Sequence, residues 1–407
     1  MRIAINAQLL SFSDSYRNGG ISRYIRSLLG ELVRQAAAST GQLEPTVKHD
    51  YTIFVNGHEM VERLQQELPA SDGITYIPAA WPESRPLSRV AWEQLRLPAI
   101  LRERRIEVFH SPANVLPEML PRGCAGVVTL HDLAFLRYPQ VLTRAKRIYH
   151  RAFTTHSLRR AALIIANSNS TKRDAVELVG IPCERIQTVY LCIDARFSYV
   201  ITDEEIASFR QRSGLEGGYI LYLGTLEPRK NIPVLLEAYA RLRDVYQRTE
   251  KLVLAGGQGW LYDEIYKRVQ TLGLTSEVLF PGFVSDEEQL LWYHAASAFV
   301  YPSLYEGFGL PVAEALACGI PVVTSNVSSL PEAGAGLALT VAPSDVVGMA
   351  EAIQRALVDE KLRRRCRDEA GEVAERFSAK RMAGQTIRAF EQAARRSEHS
   401  QEVSLVR

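Results

Sequence analysis

Short apolar runs of strand length recur along this chain, separated by helix-like patterns, and the series occurs twice. Ile3-Ala4-Ile5, Tyr51 to Val55, Glu107 to His110, Val127 to Leu130 and Leu163 to Ala166 form the first series. Tyr219 to Leu223, Leu252 to Ala255, Val278 to Phe280, Ala298 to Tyr301, Val322-Val323 and Leu337 to Val341 form the second. Continuous apolar runs mark strands covered on both faces, and strands alternating with helices build a parallel sheet. Between the series, Asp194 to Gly218 is polar and ends in Gly217-Gly218, which reads as the connection. A chain of 407 residues is long enough for two cores, so the expectation is an α/β protein of two Rossmann-like domains, 1–195 and 196–378. Ligands of open α/β sheets settle at the carboxyl ends of strands. Gly19-Gly20, His131, Gly224 and Glu306 all sit just past such ends.

The densest of these positions is Glu306-Gly307-Phe308-Gly309-Leu310-Pro311-Val312-Ala313-Glu314, two carboxylates eight positions apart around a glycine turn. The glycines allow close approach of backbone to a ligand, and Pro311 suits the first position of a helix, where its missing N–H would be unsatisfied anyway. The amides of that helix start would then face a ligand beside Glu306. Glu314 is expected in the first turn, where the helix dipole favours a negative charge. A capped surface helix carrying two solvated acids is the plainer reading of the same letters.

The wider text decides between them. YILYLGTLEPRKNIPVLLEAYARL from Tyr219, KLVLAGGQGWLYDEI from Lys251 and the stretch from Val278 through SLYEGFGLPVAEALACGIPVVTSNVSSLPEAG resemble glycosyltransferase family 4. NGGISRY at Asn18, WEQLRLP at Trp92, FHSPANVLP at Phe109 and VVTLHDLAFLRYP at Val127 resemble its mannosyltransferase B branch. The likeness covers nearly the whole chain. It implies a retaining, nucleotide-sugar-dependent transferase of the GT-B fold, with two Rossmann-like domains facing each other across a cleft. It also implies that a closing helix, about Ala379 to Ala394, packs back onto the N-terminal domain.

By that resemblance Glu306 and the amides of Phe308, Gly309 and Leu310 contact donor-sugar hydroxyls, and Glu314 accepts from the ribose. The base lies near Gly282, Phe283 and Val284. A leaving diphosphate requires cations or amide donors, which the resemblance assigns to Lys230 with Arg229 as a possible substitute, and to the helix-start amides of Gly19 and Gly20. Many members carry arginine where this chain has Thr225, which sharpens the demand on those two cations. His131 would point at the donor sugar, with Asp132 orienting its ring or capping a turn. No side chain presents a nucleophile for double displacement, so front-side attack is expected, the leaving oxygen taking the acceptor's proton. No DxD follows a strand, and neither a metal nor another cofactor is expected to be required. The branch likeness favours GDP-mannose as donor and a glycan or lipid-linked oligosaccharide as acceptor. UDP- or ADP-glucose, or a non-catalytic GT-B protein, are the alternatives.

Other features exclude other classes. GGQG at Gly256 to Gly259 follows a strand but is not GxGxxG, so a dinucleotide dehydrogenase fails on spacing. Cys124, Cys183, Cys192, Cys318 and Cys366 are odd in number without a CxxC, indicating neither a disulfide framework nor a zinc site. No apolar segment approaches the roughly 20 residues of a membrane span, and the N-terminus lacks a signal-peptide layout, so a cytoplasmic protein is expected. Residues 1–195 hold 24 Lys+Arg against 18 Asp+Glu, and 196–407 hold 24 against 28. Arg144, Lys146, Arg147, Arg151, Arg159 and Arg160, interleaved with Ile148, Tyr149, Phe153 and Leu158, read as a basic amphipathic helix. Such a helix is either a solvated face or a peripheral contact with anionic membrane. No nucleic-acid partner is expected.

Overall fold

The structure is a computed structural model and describes residues 1–12, 20–38, 49–69, 71–79, 86–138, 150–257, 259 and 262–405. Asn18, Gly19, Arg144, Lys146, Arg147, Ile148, Tyr149 and Trp260 lie outside the described residues. The chain divides into two compact units, Met1–Cys192 with Ala379–Arg407, and Ile193–Ser378.

Unit 1 holds a seven-stranded sheet of β1 (Arg2–Asn6), β2 (Asp50–Asn56), β3 (Ile74–Ala79), β4 (Val108–Ser111), β5 (Ala125–Leu130), β6 (Leu163–Ala166) and β7 (Ile186–Thr188). Its order is β3-β2-β1-β4-β5-β6-β7, and every pairing is parallel. Unit 2 holds β8 (Tyr219–Leu223), β9 (Lys251–Ala255), β10 (Val278–Gly282), β11 (Ala298–Tyr301), β12 (Val322–Ser325) and β13 (Leu339–Val341). Their order is β10-β9-β8-β11-β12-β13, again all parallel. Both are doubly wound sheets whose strand order reverses at one point, as the expected Rossmann-like reading requires. Strands β5, β6, β11 and β12 are buried at every residue, which explains their largely apolar runs.

Among the helices are α1 (Gly20–Ala38), α2 (Leu97–Glu103), α3 (Thr155–Arg160), α4 (Asp203–Arg212), α5 (Asp286–His294), α6 (Leu310–Ala317) and α7 (Ala379–Leu405). Helix α7 packs against α1 and against β4, β5 and β6. It does so through Met382, Ala383, Thr386, Phe390 and Ala393, all buried, a stripe at three- and four-residue spacing that lines one helix face. It runs to Leu405, beyond the end expected near Ala394.

Three further differences from the sequence reading have local causes. Strands β3 and β7 are absent from that reading: both are edge strands, one carrying Pro78 and the other only three residues long, so neither shows a buried apolar run. The segment expected as a bare connection contains α4, whose Thr202 side chain accepts from the Glu205 amide while the Glu205 carboxylate accepts from the Thr202 amide. Only Phe209 of that helix is buried, so its apolar signal is faint and the capping box is its clearest mark. Of the basic stretch, the described part is a π-helical turn, His150–Thr154, followed by α3, with Arg151 and Arg159 exposed and Arg160 paired to Glu118. Among the described residues no helix is long and apolar enough to cross a membrane. Cys183 is exposed, the other four cysteines are buried, and none of the five forms a disulfide.

Candidate active site

In unit 2 the strand order reverses between β8 and β11, so the loops leaving these two strands open a crevice at their carboxyl ends. The loop after β8 carries a 3-10 turn, Pro228–Lys230, and the loop after β11 carries Glu306. The two loops are stitched together. The Leu304 amide donates to the Arg229 carbonyl at 2.9 Å, and Arg229 Nη1 donates to the Tyr305 carbonyl at 2.6 Å.

A buried ion cluster forms there. Lys230 Nζ donates to Glu306 Oε1 and to the Tyr301 hydroxyl, each at 2.6 Å, while Arg229 Nη1 is 3.0 Å from Glu306 Oε2 and Arg229 Nη2 is 2.8 Å from Glu227 Oε1. Glu306 is 9% exposed and Lys230 7%. Burial alone would push the Glu306 carboxyl up, but Lys230 and then Arg229, with their hydrogen bonds, outweigh it and bring it down to about 2. Burial likewise disfavours the Arg229 cation, and Glu306 and Glu227 more than offset that, raising it. Glu306 is therefore an anion at neutral pH, unable to give a proton, while Tyr301, stacked between Tyr222 and Phe299, is kept neutral by burial.

The Glu306 backbone is fixed as firmly as its side chain. Its amide donates to Ser328 Oγ at 3.1 Å, and Ser329 Oγ donates to the carbonyls of Glu306 and Phe308, each at 2.9 Å. Gly309 caps α6 at φ 100°, and a Cβ there would stand 2.9 Å from Leu330 Cδ2, so glycine is required on both counts. Helix α6 starts at Leu310; Pro311 after it has no N–H, and the Val312 amide donates to the Gly309 carbonyl at 3.0 Å. Two details of the sequence reading change. Pro311 is the second helical residue, and Glu314 is the fifth, in the second turn and not the first, beyond the reach of the dipole at the helix start. Glu314 is 3% exposed and accepts from Tyr293 Oη at 2.9 Å and, more weakly, from Gln289 Nε2 at 3.5 Å, both on α5. Gly282 ends β10 at φ 81°, and Phe283 beside it is 65% exposed. The glycine at 256 answers to packing: a Cβ there would lie 2.1 Å from the Gly224 carbonyl oxygen.

Unit 1 places Gly20 at the start of α1, the first helix after β1, and His131 immediately after β5. His131 Nε2 bonds the Pro112 carbonyl at 2.8 Å, its own carbonyl accepts from Asn167 Nδ2 at 2.7 Å, and Tyr24 of α1 meets its ring edge-on with centroids 5.3 Å apart. Burial lowers its pKa, so the ring is neutral. Asp132 Oδ1 accepts from the Ala134 amide at 3.0 Å, which makes it a turn cap. Behind this ring lies a set that sequence reasoning missed. Tyr24 Oη is 3.0 Å from Thr129 Oγ1, which is 2.8 Å from His110 Nε2. Tyr24 and His110 lie inside quoted motifs, and it is their polar atoms at wholly buried positions that single them out. The same holds for Tyr301 and Ser329 in unit 2, and half-buried Ser328 joins them through the Glu306 amide. Among the described residues no group of three His, Cys, Asp or Glu side chains is placed to hold a metal.

Known proteins resemble this chain in sequence and fold. The family described as Glycosyltransferase Family 4 matches residues 18–197, and that described as Glycosyl transferases group 1 matches 203–373. The O-antigen chain mannosyltransferase B of Escherichia coli is 32% identical over 374 residues, covering 91% of this chain and 95% of that protein. The serotype-specific mannosyltransferase WbdA of Escherichia coli is 32% identical over 57% of this chain, a stretch that spans 29% of the longer protein. Among solved structures, Anabaena HepE in complex with UDP and glucose superposes with a TM-score of 0.68 at 17% identity, covering 96% of this chain and 99% of that one. A doubly wound pair of units with these motifs, and a relative of this identity along almost its whole length, mark the chain as a glycosyltransferase belonging to glycosyltransferase family 4.

Proposed function

We propose that this chain moves mannose from GDP-mannose to a glycan or lipid-linked oligosaccharide acceptor in cell-surface polysaccharide synthesis, with retention at the anomeric carbon. The observation that carries this reading is the buried Arg229–Lys230–Glu306 cluster at the switch point of unit 2, since its two cations suit an anionic leaving group and its carboxylate can accept from sugar hydroxyls. The mannosyltransferase name of the relative covering 91% of this chain supports the sugar.

In this reading the bond from the anomeric carbon to the diphosphate breaks while the acceptor oxygen bonds on the same face, and the acceptor's proton goes to the leaving phosphate oxygen. Lys230 and Arg229 stabilise the diphosphate, aided by the Gly19 and Gly20 amides. Glu306 and the amides of Phe308, Gly309 and Leu310 hold the sugar hydroxyls. Glu314 faces the ribose, and Gly282, Phe283 and Val284 the base. His131, neutral with its Nε2–H donating to the Pro112 carbonyl, contacts the sugar and accepts a hydrogen bond at Nδ1 without adding charge. The reaction runs on the cytoplasmic side, with peripheral contact to anionic membrane through the basic stretch at 144–160 and with no metal or further cofactor.

Thermal shifts with GDP, UDP and ADP, followed by hydrolysis of GDP-mannose, UDP-glucose and ADP-glucose, test it. A ligand that binds only the folded state raises the apparent melting temperature. GDP is expected to give the largest shift and GDP-mannose the fastest turnover. Preference for the uridine or adenosine pair replaces mannose by glucose, and no turnover of any donor overturns the catalytic reading.

A further inference from the structure

Unit 1 contains a second cavity, of about 1120 Å³, at the opposite ends of its strands. It is lined by Ala125 and Gly126 at the start of β5, by Ala162 just ahead of β6 and by Arg185 just ahead of β7. His131 follows the far end of β5, roughly 17 Å away along a strand that rises about 3.3 Å per residue. The cavity is therefore separate from the candidate residues at the carboxyl ends of the strands.

Its lining has two parts. The apolar part comes from Leu120, Pro121, Cys124 and Met119, the last 67% exposed although large and apolar. The charged part comes from six arginines against two glutamates. Arg160 is satisfied by Glu118 Oε2 at 3.1 Å and by the Pro117 carbonyl at 3.2 Å. Arg185 points its Nη2 at the carbonyls of Leu158 and Arg159, at 3.3 and 2.8 Å, and is partly buried. Arg396 donates to the Glu184 carbonyl at 2.6 Å, and the Arg185 cation is disfavoured first by its burial and then by the nearby positive charge of Arg396. The side chains of Arg102, Arg122 and Arg395 have no ion pair or hydrogen bond among the described residues. They arrive from α2, from the loop ahead of β5 and from α7, so the convergence of charge is produced by the tertiary fold and not by one basic run.

Like charges held together are costly unless an anion joins them, and guanidinium forks match phosphate oxygens in pairs. An apolar floor beside them suits a hydrocarbon body. We infer that this cavity binds an amphiphilic phosphate, a phosphate or diphosphate group on an apolar body, with Arg122, Arg395 and Arg102 taking the anion and Leu120 and Met119 the apolar part. The ligand is either a membrane lipid headgroup or a soluble prenyl-type phosphate, which share this chemistry. The inference does not depend on the donor proposed for unit 2.

The test is calorimetric titration of the full chain with farnesyl diphosphate, beside farnesol, which lacks the charge, and inorganic pyrophosphate, which lacks the apolar body. Farnesyl diphosphate is expected to bind more tightly than either. Arg122→Ser/Arg395→Ser, two unpaired positions whose loss leaves no buried partner, is expected to weaken it about tenfold or more, one charged hydrogen bond being worth roughly that factor. Lys230→Ala is expected to leave it unchanged. Displacement of farnesyl diphosphate by vesicles of phosphatidylglycerol, but not by neutral vesicles, identifies a lipid headgroup as the source, and no displacement identifies a soluble phosphate. Equal affinity in the double variant and the wild type, or weakening by Lys230→Ala in its place, overturns the inference. Failure of the GDP titration with this one intact would fault the donor reading alone.

Discussion

The two units bury polar groups beneath sheets of the same topology and solve the problem in opposite ways. Unit 1 keeps its set neutral: burial pushes His110 down to about 3 and raises Tyr24, and Thr129 links the two by hydrogen bonds. Unit 2 keeps its set charged, with Glu306 brought down to about 2 between Lys230 and Arg229. A neutral buried group needs only hydrogen bonds, whereas a buried charge needs a counter-charge and further bonds to meet its desolvation cost. The difference teaches where reactive electrostatics sits. Unit 2 holds a fixed field at the ends of β8 and β11, whereas beneath the carboxyl end of β5 unit 1 offers polar contacts without one.

The contrast is most sharply tested by Glu306→Gln. Turnover is expected to fall about 10²- to 10³-fold. Because two cations then face an amide, unit 2 is also expected to lose roughly 3 kcal/mol, visible as a lower urea midpoint. Near-normal turnover and stability would mean the cluster is neither reactive nor structural. Acid should separate the units next. The folded-state pKa of His110 lies below its ordinary value near 6.5, so unfolded chain takes up the proton first, and stability is complete above that value and lost as pH falls toward 3. Glu306, depressed from 4.5 to about 2, loses its contribution only below 4.5.

Between pH 6.5 and 4.5 His110 is thus expected to cost unit 1 about 3 kcal/mol, at roughly 1.4 kcal/mol per pH unit. His49 and His131 add in the same direction, against His294 alone in unit 2. Hydrogen exchange resolved by unit reads this directly, and His110→Gln should flatten the response of unit 1. Equal acid sensitivity in both units would break the comparison. Within the cluster, Lys230→Ala is expected to reduce GDP affinity by roughly tenfold or more, and more than Arg229→Ala does. Arg229→Ala should instead cost more stability, since that guanidinium also holds Glu227 and the Tyr305 carbonyl. The reverse ranking in calorimetry would move the cationic role one residue along the loop. The smallest effect belongs to Tyr24→Phe, expected to cost unit 1 about 1 kcal/mol in urea while leaving unit 2 unchanged.

Most of the architecture is legible in the letters because fully covered strands are mainly apolar, as in Val127 to Leu130, where Thr129 alone is polar, and Ala298 to Tyr301. What escapes is what solvent touches: β3 and β7 at the sheet edge, and α4 with its single buried residue. At the site, Lys230 and Glu306 are visible as charges beside glycines at strand ends. That they bond each other at 2.6 Å is not visible, since 76 positions separate them and only the pairing of β8 with β11 makes them neighbours. The same reason hides Thr129 beneath Tyr24 and the six arginines of the second cavity.

Helix α7 also bears on the order in which the protein can be made. Unit 2 is a single uninterrupted stretch, Ile193–Ser378, inserted into unit 1, whose last helix comes after it in the chain. Phe390 and Ala393 cover strands that a ribosome has finished more than two hundred residues earlier. During synthesis the first-made unit must therefore wait with an uncovered apolar face, while the second-made unit can close as soon as it emerges. Domains usually complete in the order they are made. Here the order is inverted, and a chain cut short before Ala379 would carry a finished unit 2 attached to an unfinished, aggregation-prone unit 1.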